Sequence, residues 1–400
     1  MQPWPLVTGS LLRHAARHHG GQTLVSIGVD GARTEHTLLE TYGRSIRLAL
    51  ALERLSALGE VVATLAWNTH RHVEAWHAVQ NSGRVLHTLN PRLFLDQLAY
   101  IATQGEDVVL LVDADLVTLA EQLVAKVGGI RAVVVMASRE QMPRASGACK
   151  LLCYEDLLAA ERLPANVFNY EWAGTDENAP AAMCFTSGTT GNPKVRGCAL
   201  VHGKRAPERR GTQGVVYTQR SQVLHAMMVG HPDVCALSSS ENLLLVVPMF
   251  HANGWGLPFA SMIAGCRLVL PGPRLDGASL HRLITAERCT LSAAVPTVWY
   301  GLLQHLRSLP GASLAPLKRV IIGGAATPES LLVAFEKEYG ISVACAYGMT
   351  ETSPLLTLNQ EKSGVARTLA QKLKAGRTMF TADVRCVCVM DIAAPLRFVC

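Results

Sequence analysis

Short apolar runs typical of buried strands alternate with helical patterns through the first third of the chain. Apolar and aromatic residues recur at helical spacing at Leu38, Leu39, Tyr42, Ile46 and Leu50. Further helical patterns cover residues 95–101 and 116–127, and strand-like runs lie at residues 61–66, 108–112 and 133–136. This alternation is typical of βαβ units, whose strands pair in parallel. It predicts an α/β fold with a doubly wound, mostly parallel sheet.

The second half of the chain repeats the alternation and predicts a second doubly wound subdomain. Strand-like runs lie at residues 243–247, 267–270, 291–295 and 320–322, and helices are predicted to start near Trp255, Ser279, Thr297 and Pro328. Thr327 is the expected capping hydroxyl of the last helix, with Pro328 in its first turn. The apolar run 242–250 is too short to cross a membrane, and we interpret it as a buried strand.

These patterns divide the chain into four parts. A first α/β subdomain covers residues 1–178, and a second covers residues 179–340. A partial β-rich subdomain follows at residues 341–387, and residues 388–400 form an atypical tail. The polar stretch 174–180 supports the first boundary.

The composition favours a globular enzyme and argues against a nucleic-acid surface. Hydrophobic residues make up 49% of the chain and charged residues 17%. The net charge of +6 comes from two segments, since residues 195–213 carry five basic residues against one acidic and residues 361–400 carry seven against three. The remainder is mildly acidic. The 11 cysteines include no Cys-x-x-Cys pair, which favours reduced structural thiols.

Residues 186–194 read Thr-Ser-Gly-Thr-Thr-Gly-Asn-Pro-Lys and have the composition of a phosphate-binding loop. Gly188 and Gly191 allow the backbone to approach an anion closely and to turn successive N–H groups toward it. Side-chain donors are present at Thr186, Ser187, Thr189, Thr190 and Lys194. The run predicts a polyphosphate ligand, although its glycines and hydroxyls alone would also suit a polar surface loop.

The spacing of this run resembles the phosphate loop of the adenylate-forming superfamily, which includes acyl-CoA synthetases, luciferases and adenylation domains. The resemblance extends over residues 8–194 and 214–387. It implies ATP, Mg²⁺ and CoA as cofactor and co-substrates. A carboxylate would first attack the α-phosphorus of ATP, and the CoA thiol would then take the acyl group. Lys194 would be catalytic, and the loop would bind the β and γ phosphates.

A second matching motif is Tyr347-Gly348-Met349-Thr350-Glu351-Thr352. The resemblance implies that Tyr347 stacks on adenine and that Gly348 and Met349 line the ATP site. Thr350 would contact the α-phosphate and Glu351 would hold Mg²⁺, which makes both candidate catalytic residues. Taken alone, the motif would suit an edge strand with a surface glutamate.

Two further segments match the same superfamily. Gly324, Ala325 and Ala326 would line the adenine pocket, or would simply form a small-residue turn before a helix. His251, Trp255 and Gly256 lie in the stretch 248–256. The resemblance implies that His251 positions the acyl carboxylate as a catalytic residue and that Trp255 gates a fatty-acyl tunnel. Apolar neighbours suit an alkyl chain, but they would equally serve as core. Together these stretches resemble the medium- and long-chain fatty-acyl-CoA synthetase branch.

Two departures from the superfamily pattern bear on activity. Residues 195–213 interrupt the passage from Lys194 to Gly214, and we interpret them as a retained intron or a gene-model error. The superfamily's ribose-binding aspartate, hinge and small C-terminal domain with its lysine do not follow residue 387. Impaired activity is therefore expected.

Alternatives remain open on function and location. A non-catalytic pseudoenzyme that binds nucleotide or acyl groups fits the same residues, as does an aryl or short-chain acid CoA ligase. The expected partners are a fatty acid, ATP and CoA, without nucleic acid or a transmembrane segment. The basic start, residues 11–17, is similar to the family's first helix rather than a cleavable leader. A cytoplasmic location is the default, with peroxisome and mitochondrion open and the oligomeric state not predicted.

Overall fold

The computed structural model describes residues 4–144, 147, 149–186, 214–360, 367–382 and 384. Of the predicted phosphate loop, only Thr186 is among them. Residues 187–194, the insert 195–213 and the tail 388–400 lie outside the described residues.

The described residues form strands and helices at nearly all the places that the sequence pattern predicts. The strands are β1 Thr23–Ile27, β2 Arg33–Thr37, β3 Val61–Leu65, β4 Val85–Leu89, β5 Asp107–Val112, β6 Ala132–Val135, β7 Leu151–Cys153, β8 Pro180–Cys184, β9 Val215–Thr218, β10 Asn242–Leu244, β11 Arg267–Leu270, β12 Leu291–Ala294, β13 Arg319–Ile322, β14 Ser342–Gly348, β15 Leu355–Asn359 and β16 Arg377–Thr378. The α-helices are α1 Gly9–His18, α2 Leu38–Leu52, α3 His70–Asn81, α4 Leu95–Gly105, α5 Val117–Lys126, α6 Tyr154–Ala159, α7 Gln219–Gly230, α8 Leu257–Ala264, α9 Gly277–Ala286, α10 Pro296–Arg307, α11 Glu329–Val333 and α12 Leu369–Lys372. Across the described ranges, none of these helices combines the length and apolarity that a bilayer crossing requires.

The strands form two sheets in which the interior pairings are parallel. The seven-stranded sheet has the order β7-β6-β5-β3-β4-β8-β9, and the nine-stranded sheet has the order β16-β15-β14-β13-β12-β10-β11-β1-β2. Among the described strands, antiparallel pairs occur where β2, β9, β15 and β16 are added at the sheet edges. Helices cover the parallel strands, which explains why these strands are apolar on both faces. The predicted α/β class with two mostly parallel sheets is confirmed.

Helix α3 lies between the two sheets and ties them into one core. It contacts β1 of the larger sheet and β3, β4 and β8 of the smaller one. Every residue of α3 except Arg71 is buried. The ring of Trp76 lies 5.6 Å from that of Phe259 on α8. Because α3 is buried on nearly all sides, it covers apolar surface of both sheets and removes that surface from water.

Sheet membership does not follow the predicted boundary at residue 178. Strands β1 and β2 precede that boundary but belong to the nine-stranded sheet, whereas β8 and β9 follow it and belong to the seven-stranded sheet. The strands of residues 341–387 extend the edge of the nine-stranded sheet rather than forming a sheet of their own. Periodicity identifies a strand, but the choice of partner depends on contacts between residues far apart in sequence.

The strand predicted over residues 242–250 is shorter than expected, since β10 ends at Leu244. Asn68, which follows β3, bonds the backbone beyond that point. Its Nδ2 donates to the carbonyls of Leu245 and Val247, each at 2.8 Å, and its Oδ1 accepts from Met249 N–H at 2.8 Å. The side chain thereby replaces a neighbouring strand as the backbone's partner.

The predicted cap of the helix after residue 327 is also wrong. Helix α11 begins at Glu329, and Pro328 is its N-cap residue without a side-chain hydrogen bond. Pro328 has a ψ of 141°, which is extended rather than helical. The proline therefore ends the preceding loop instead of forming the first turn.

Four buried histidines resist protonation in the folded chain. Burial lowers the pKa of His72 and of His225 to about 4 and that of His77 to about 3. The pKa of His70 also lies well below its ordinary value, chiefly through burial. In the unfolded chain, all four would titrate near the ordinary histidine value.

Acidification should therefore destabilise the protein. Between about pH 6.5 and pH 5.5 we expect the four histidines to lower the free energy of unfolding by about 4 kcal/mol, roughly 1 kcal/mol each, because the unfolded histidines take up protons that the folded ones do not bind. Burial raises the pKa of Asp113 to about 7, so this folded carboxyl takes up a proton over the same range and offsets roughly 1 kcal/mol of the loss. Urea denaturation at both pH values measures the change. In His77→Leu the loss of unfolding free energy on acidification should be smaller, because one of the four histidines is absent. A free energy that is constant or rises on acidification would contradict this.

Candidate active site

A cavity of about 150 Å³ lies at the carboxyl ends of β13 and β14. Ligands of open parallel sheets bind at such strand ends. Three segments that are distant in sequence line the cavity. The lining residues are His251, Ala252, Trp255, Gly323, Gly324, Ala346, Tyr347, Gly348, Met349, Thr350, Pro354 and Leu355.

The first segment enters the cavity through a left-handed turn. All five residues of Ala252–Gly256 have φ between 43° and 73°. Left-handed backbone costs about 1–2 kcal/mol for each non-glycine residue, so surrounding contacts must hold the turn. The bonds from Asn68 hold the chain just before it, and Thr88 Oγ1 lies 3.4 Å from the carbonyl of Phe250.

His225 of α7 packs beneath this turn and joins it to the opposite wall of the cavity. A Cβ on Gly256 would lie 2.4 Å from His225 Nδ1, and Gly256 has a φ of 73°. Both the lack of space and the left-handed backbone therefore require glycine at this position. The N–H of Leu355 donates to His225 Nε2 at 3.0 Å. Because the pKa of His225 is about 4, the ring stays neutral and Nε2 remains an acceptor. No motif in the sequence pointed to His225.

The second segment forms the cavity floor under Trp255. A Cβ on Gly323 would lie 3.1 Å from Cη2 of Trp255, and one on Gly324 would lie 3.7 Å from its Cζ2. The half-buried indole thus lies against bare backbone. Gly324 also has a φ of 78°, which favours glycine there.

The third segment is the end of β14 and the turn that follows it. The register with β15 shifts between Tyr347 and Gly348, and a Cβ on Gly348 would lie 2.2 Å from the carbonyl oxygen of Pro354. A 3₁₀ turn then covers Thr350–Thr352. Tyr217 of β9 donates from its hydroxyl to the carbonyl of Thr350 at 2.6 Å, and both residues are buried. The smaller sheet thereby anchors the turn.

Removing this hydroxyl should loosen the turn. We expect Tyr217→Phe to lower the free energy of unfolding by about 1 kcal/mol, because the buried carbonyl of Thr350 loses its donor. Tyr300→Phe is the matched control, since the Tyr300 hydroxyl contacts Ser330 at an exposed position and should matter little. Chemical denaturation of both variants gives the comparison, and equal losses would rule out a special role for Tyr217.

The cavity brings together seven of the predicted site residues. They are His251, Trp255, Gly324, Tyr347, Gly348, Met349 and Thr350. Gly256, Ala325, Ala326 and Glu351 do not line it, although Gly256, Ala325 and Glu351 each directly follow a residue that does. Ala325 and Ala326 are exposed and Glu351 is partly exposed.

The start of the predicted phosphate loop lies near the first segment. Thr186 is partly exposed two residues after β8 ends, and Cys184 at that strand's end lies against the backbone of Ala252. Lys194 lies outside the described residues, so its catalytic role stays a prediction. The side chain of His251 is exposed. Protein atoms around its ring nevertheless desolvate it partly and lower its pKa below the ordinary histidine value, so the ring is neutral at pH 7.

Residues 12–387 match the family described as AMP-binding enzymes. The chain belongs to this AMP-binding family. A medium-chain-fatty-acid–CoA ligase of Ectopseudomonas oleovorans is 40% identical over 360 residues, which are 88% of this chain and 60% of the relative. A 3-methylmercaptopropionyl-CoA ligase of Ruegeria lacuscaerulensis is 37% identical over 362 residues, which are 90% of this chain and 62% of the relative. The chain thus spans about 60% of the length of these curated relatives.

Solved structures agree on the fold of this AMP-binding chain. The crystal structure of a long-chain-fatty-acid-CoA ligase from Archaeoglobus fulgidus superposes with a TM-score of 0.78 at 20% identity. The match covers 98% of this chain and 72% of the other. The two-sheet architecture is therefore shared with this solved ligase.

The predicted magnesium ligand of this AMP-binding chain is the carboxylate of Glu351. Among the described residues, no group of three or more His, Cys, Asp or Glu side chains could hold a metal ion. Mg²⁺ is commonly held by one or two carboxylates together with substrate phosphates. The partly exposed Glu351, next to Thr350 of the cavity, fits a magnesium ion that arrives with a nucleotide.

Proposed function

We propose that this AMP-binding chain carries the adenylation site of an acid–thiol ligase that converts a medium- or long-chain fatty acid to its CoA thioester. The supporting observation is the single cavity lined by His251 and Trp255, by Gly324, and by Tyr347–Thr350. In the resembling superfamily, these segments serve the acyl group, the adenine and the α-phosphate, which must meet for the reaction to occur.

The first half-reaction joins two anions. A carboxylate oxygen of the acid bonds to the α-phosphorus of ATP while the bond from that phosphorus to the bridging oxygen breaks, and pyrophosphate leaves. Donors and positive charge are needed where charge develops in the transition state. We assign Thr350 to the α-phosphate and Lys194 with the rest of residues 186–194 to the β and γ phosphates. Bound Mg²⁺, held by Glu351, would neutralise phosphate charge.

His251 acts by position rather than by proton transfer. The attacking carboxylate is already deprotonated, so no general base is needed. A neutral imidazole can donate one hydrogen bond to the carboxylate without fixing it as a strong ion pair. In the second half-reaction, the sulfur of CoA forms a thioester with the acyl carbon, and AMP leaves.

An alkyl acid is favoured over an aryl one. The two curated relatives described above are named for a medium-chain fatty acid and for 3-methylmercaptopropionate, both of which have flexible chains. The indole of Trp255 forms one wall of the cavity and lies beside the carboxylate site assigned to His251. Each buried methylene would add about 0.8 kcal/mol to binding.

ATP–pyrophosphate exchange by the purified chain tests the proposal with octanoate, palmitate, acetate and benzoate. We expect octanoate or palmitate to exceed acetate roughly tenfold or more, since each added methylene contributes binding energy. His251→Ala should lower the exchange, whereas His281→Ala on α9 is the matched control. Exchange with benzoate or acetate alone would assign an aryl or short-chain ligase. Thermal stabilisation by Mg-ATP without exchange under any acid would assign a nucleotide-binding pseudoenzyme.

A further inference from the structure

A second concavity lies at the N-terminal helix, and no predicted site residue lines it. It is a half-open groove of about 580 Å³, within the range of small-molecule sites. Its walls are residues 4–7, one face of α1 and residues 171–175. Trp4, Val7 and Trp172 give it a mainly apolar lining.

The exposed face of α1 supplies the polar rim of this groove, in which Arg13 and Arg17 carry positive charge. Ser10, Arg13, His14, Arg17 and His18 recur at helical spacing along it. The opposite face of the helix is buried through Leu11, Leu12, Ala15 and Ala16. The rim thus belongs to a helix whose position is set by the core.

The two arginines of the rim are held by contacts on one side. Arg13 donates from Nη2 to the carbonyl of Phe168 at 2.7 Å, and the guanidinium of Arg17 lies 5.0 Å from the centre of the Phe168 ring. A guanidinium has five N–H donors, so these contacts leave donors for a ligand. Glu171 is the one acidic residue among those that line the groove.

The combination of an apolar floor and a cationic rim selects an amphiphilic anion. Trp4 is 69% exposed at the mouth, where an indole can cover an alkyl chain and still meet water. A bidentate guanidinium matches the two oxygens of a carboxylate. The concave floor accommodates a single alkyl chain. Binding to the flat surface of a bilayer would not require a concavity.

We propose that this groove binds a single long-chain carboxylate, with its alkyl chain along Trp4, Val7 and Trp172 and its head group at Arg13 and Arg17. The site is separate from the cavity that contains His251, and it would be occupied whether or not the chain catalyses exchange. The bound acid would therefore be a second acyl ligand of the protein.

Photolabelling of the purified chain tests this directly. The probe is dodecanoate with a diazirine in its chain, and mass spectrometry maps the labelled peptides. We expect label in residues 4–18 and 171–175. Arg17→Glu should reduce that label roughly fivefold, since it reverses an exposed charge at the rim. Trp4→Ser should also reduce it through lost apolar contact. Arg282→Glu, the same charge change at an exposed position on α9, should leave it unchanged.

Several outcomes would overturn the proposal. Label confined to residues around His251 and Trp255 would leave the groove without a ligand. Equal groove labelling by the matching diazirine dodecanol, which lacks the charge, would reduce the groove to an unspecific apolar surface. Binding to phosphatidylglycerol vesicles that Arg17→Glu abolishes, without groove labelling by the monomeric probe, would assign the surface to membranes instead. ATP–pyrophosphate exchange in the same samples reports separately on the proposed enzyme activity.

Discussion

Gly348→Ala should cost about 3 kcal/mol of folding free energy and abolish the proposed binding of a nucleotide. The new Cβ would lie 2.2 Å from the carbonyl oxygen of Pro354 and 3.0 Å from Cα of Leu355. Both contacts are with backbone atoms, which cannot rotate away as a side chain could. Relief would require moving β15 away from β14 and would displace Tyr347 and Thr350 from the cavity. Urea denaturation and a thermal-shift titration with Mg-ATP measure the two effects.

Gly301→Ala is the matched control for this change. Gly301 lies inside α10, and apart from the backbone of its own helix a Cβ there would have no atom within 4 Å. The same substitution should therefore stabilise the protein by about 0.5–1 kcal/mol, because alanine is the better helix former. If Gly348→Ala were as harmless as Gly301→Ala, the tight packing of the β14 turn against Pro354 would be refuted.

Arg44→Met should lower the free energy of unfolding by about 3–5 kcal/mol. Arg44 of α2 bonds Glu74 through Nε at 2.7 Å and Glu155 through Nη2 at 2.8 Å. Glu74 on α3 is fully buried, and its other carboxylate oxygen accepts from the hydroxyl of Tyr154 at 2.7 Å. Removal of Arg44 leaves this charge in the core without its cationic partner. Chemical denaturation gives the loss.

Two further variants separate charge from packing. Arg139→Met removes an exposed partner of Asp156, with 76% of the Arg139 side chain exposed, and should cost less than 1 kcal/mol. Adding Glu74→Gln to Arg44→Met removes the stranded charge and should restore part of the stability. A double variant less stable than Arg44→Met alone would show that lost packing, and not the buried charge, accounts for the effect.

The sequence predicted the fold class because alternating apolar patterns are local. Strands β3 and β5 are short apolar runs buried on both faces, and helices α2 and α4 bury one face at helical spacing, so both patterns can be recognised within a few residues. The end of β10 could not be predicted this way, since the backbone beyond it bonds the side-chain amide of Asn68, which follows β3 and is distant in sequence.

The candidate site was partly predictable for a similar reason. His251, Trp255, Gly324 and Tyr347–Thr350 are carried by contiguous motifs, and the cavity gathers them. Tyr217 and His225 belong to no motif, because each acts through one long-range hydrogen bond. The spacing of residues in a sequence does not show such a bond.

The amino-acid sequence within each short segment therefore determined which segments become strands, which become helices and which carry the superfamily motifs. Tertiary contacts alone decided that β1 and β2 join the nine-stranded sheet, that Ala252–Gly256 adopts a left-handed turn, and that three distant segments share one cavity. The physical reason is that secondary structure follows from side-chain periodicity over a few residues. Strand pairing and backbone strain depend instead on neighbours more than a hundred residues away, such as Leu24 beside Leu268 or Leu355 beside His225.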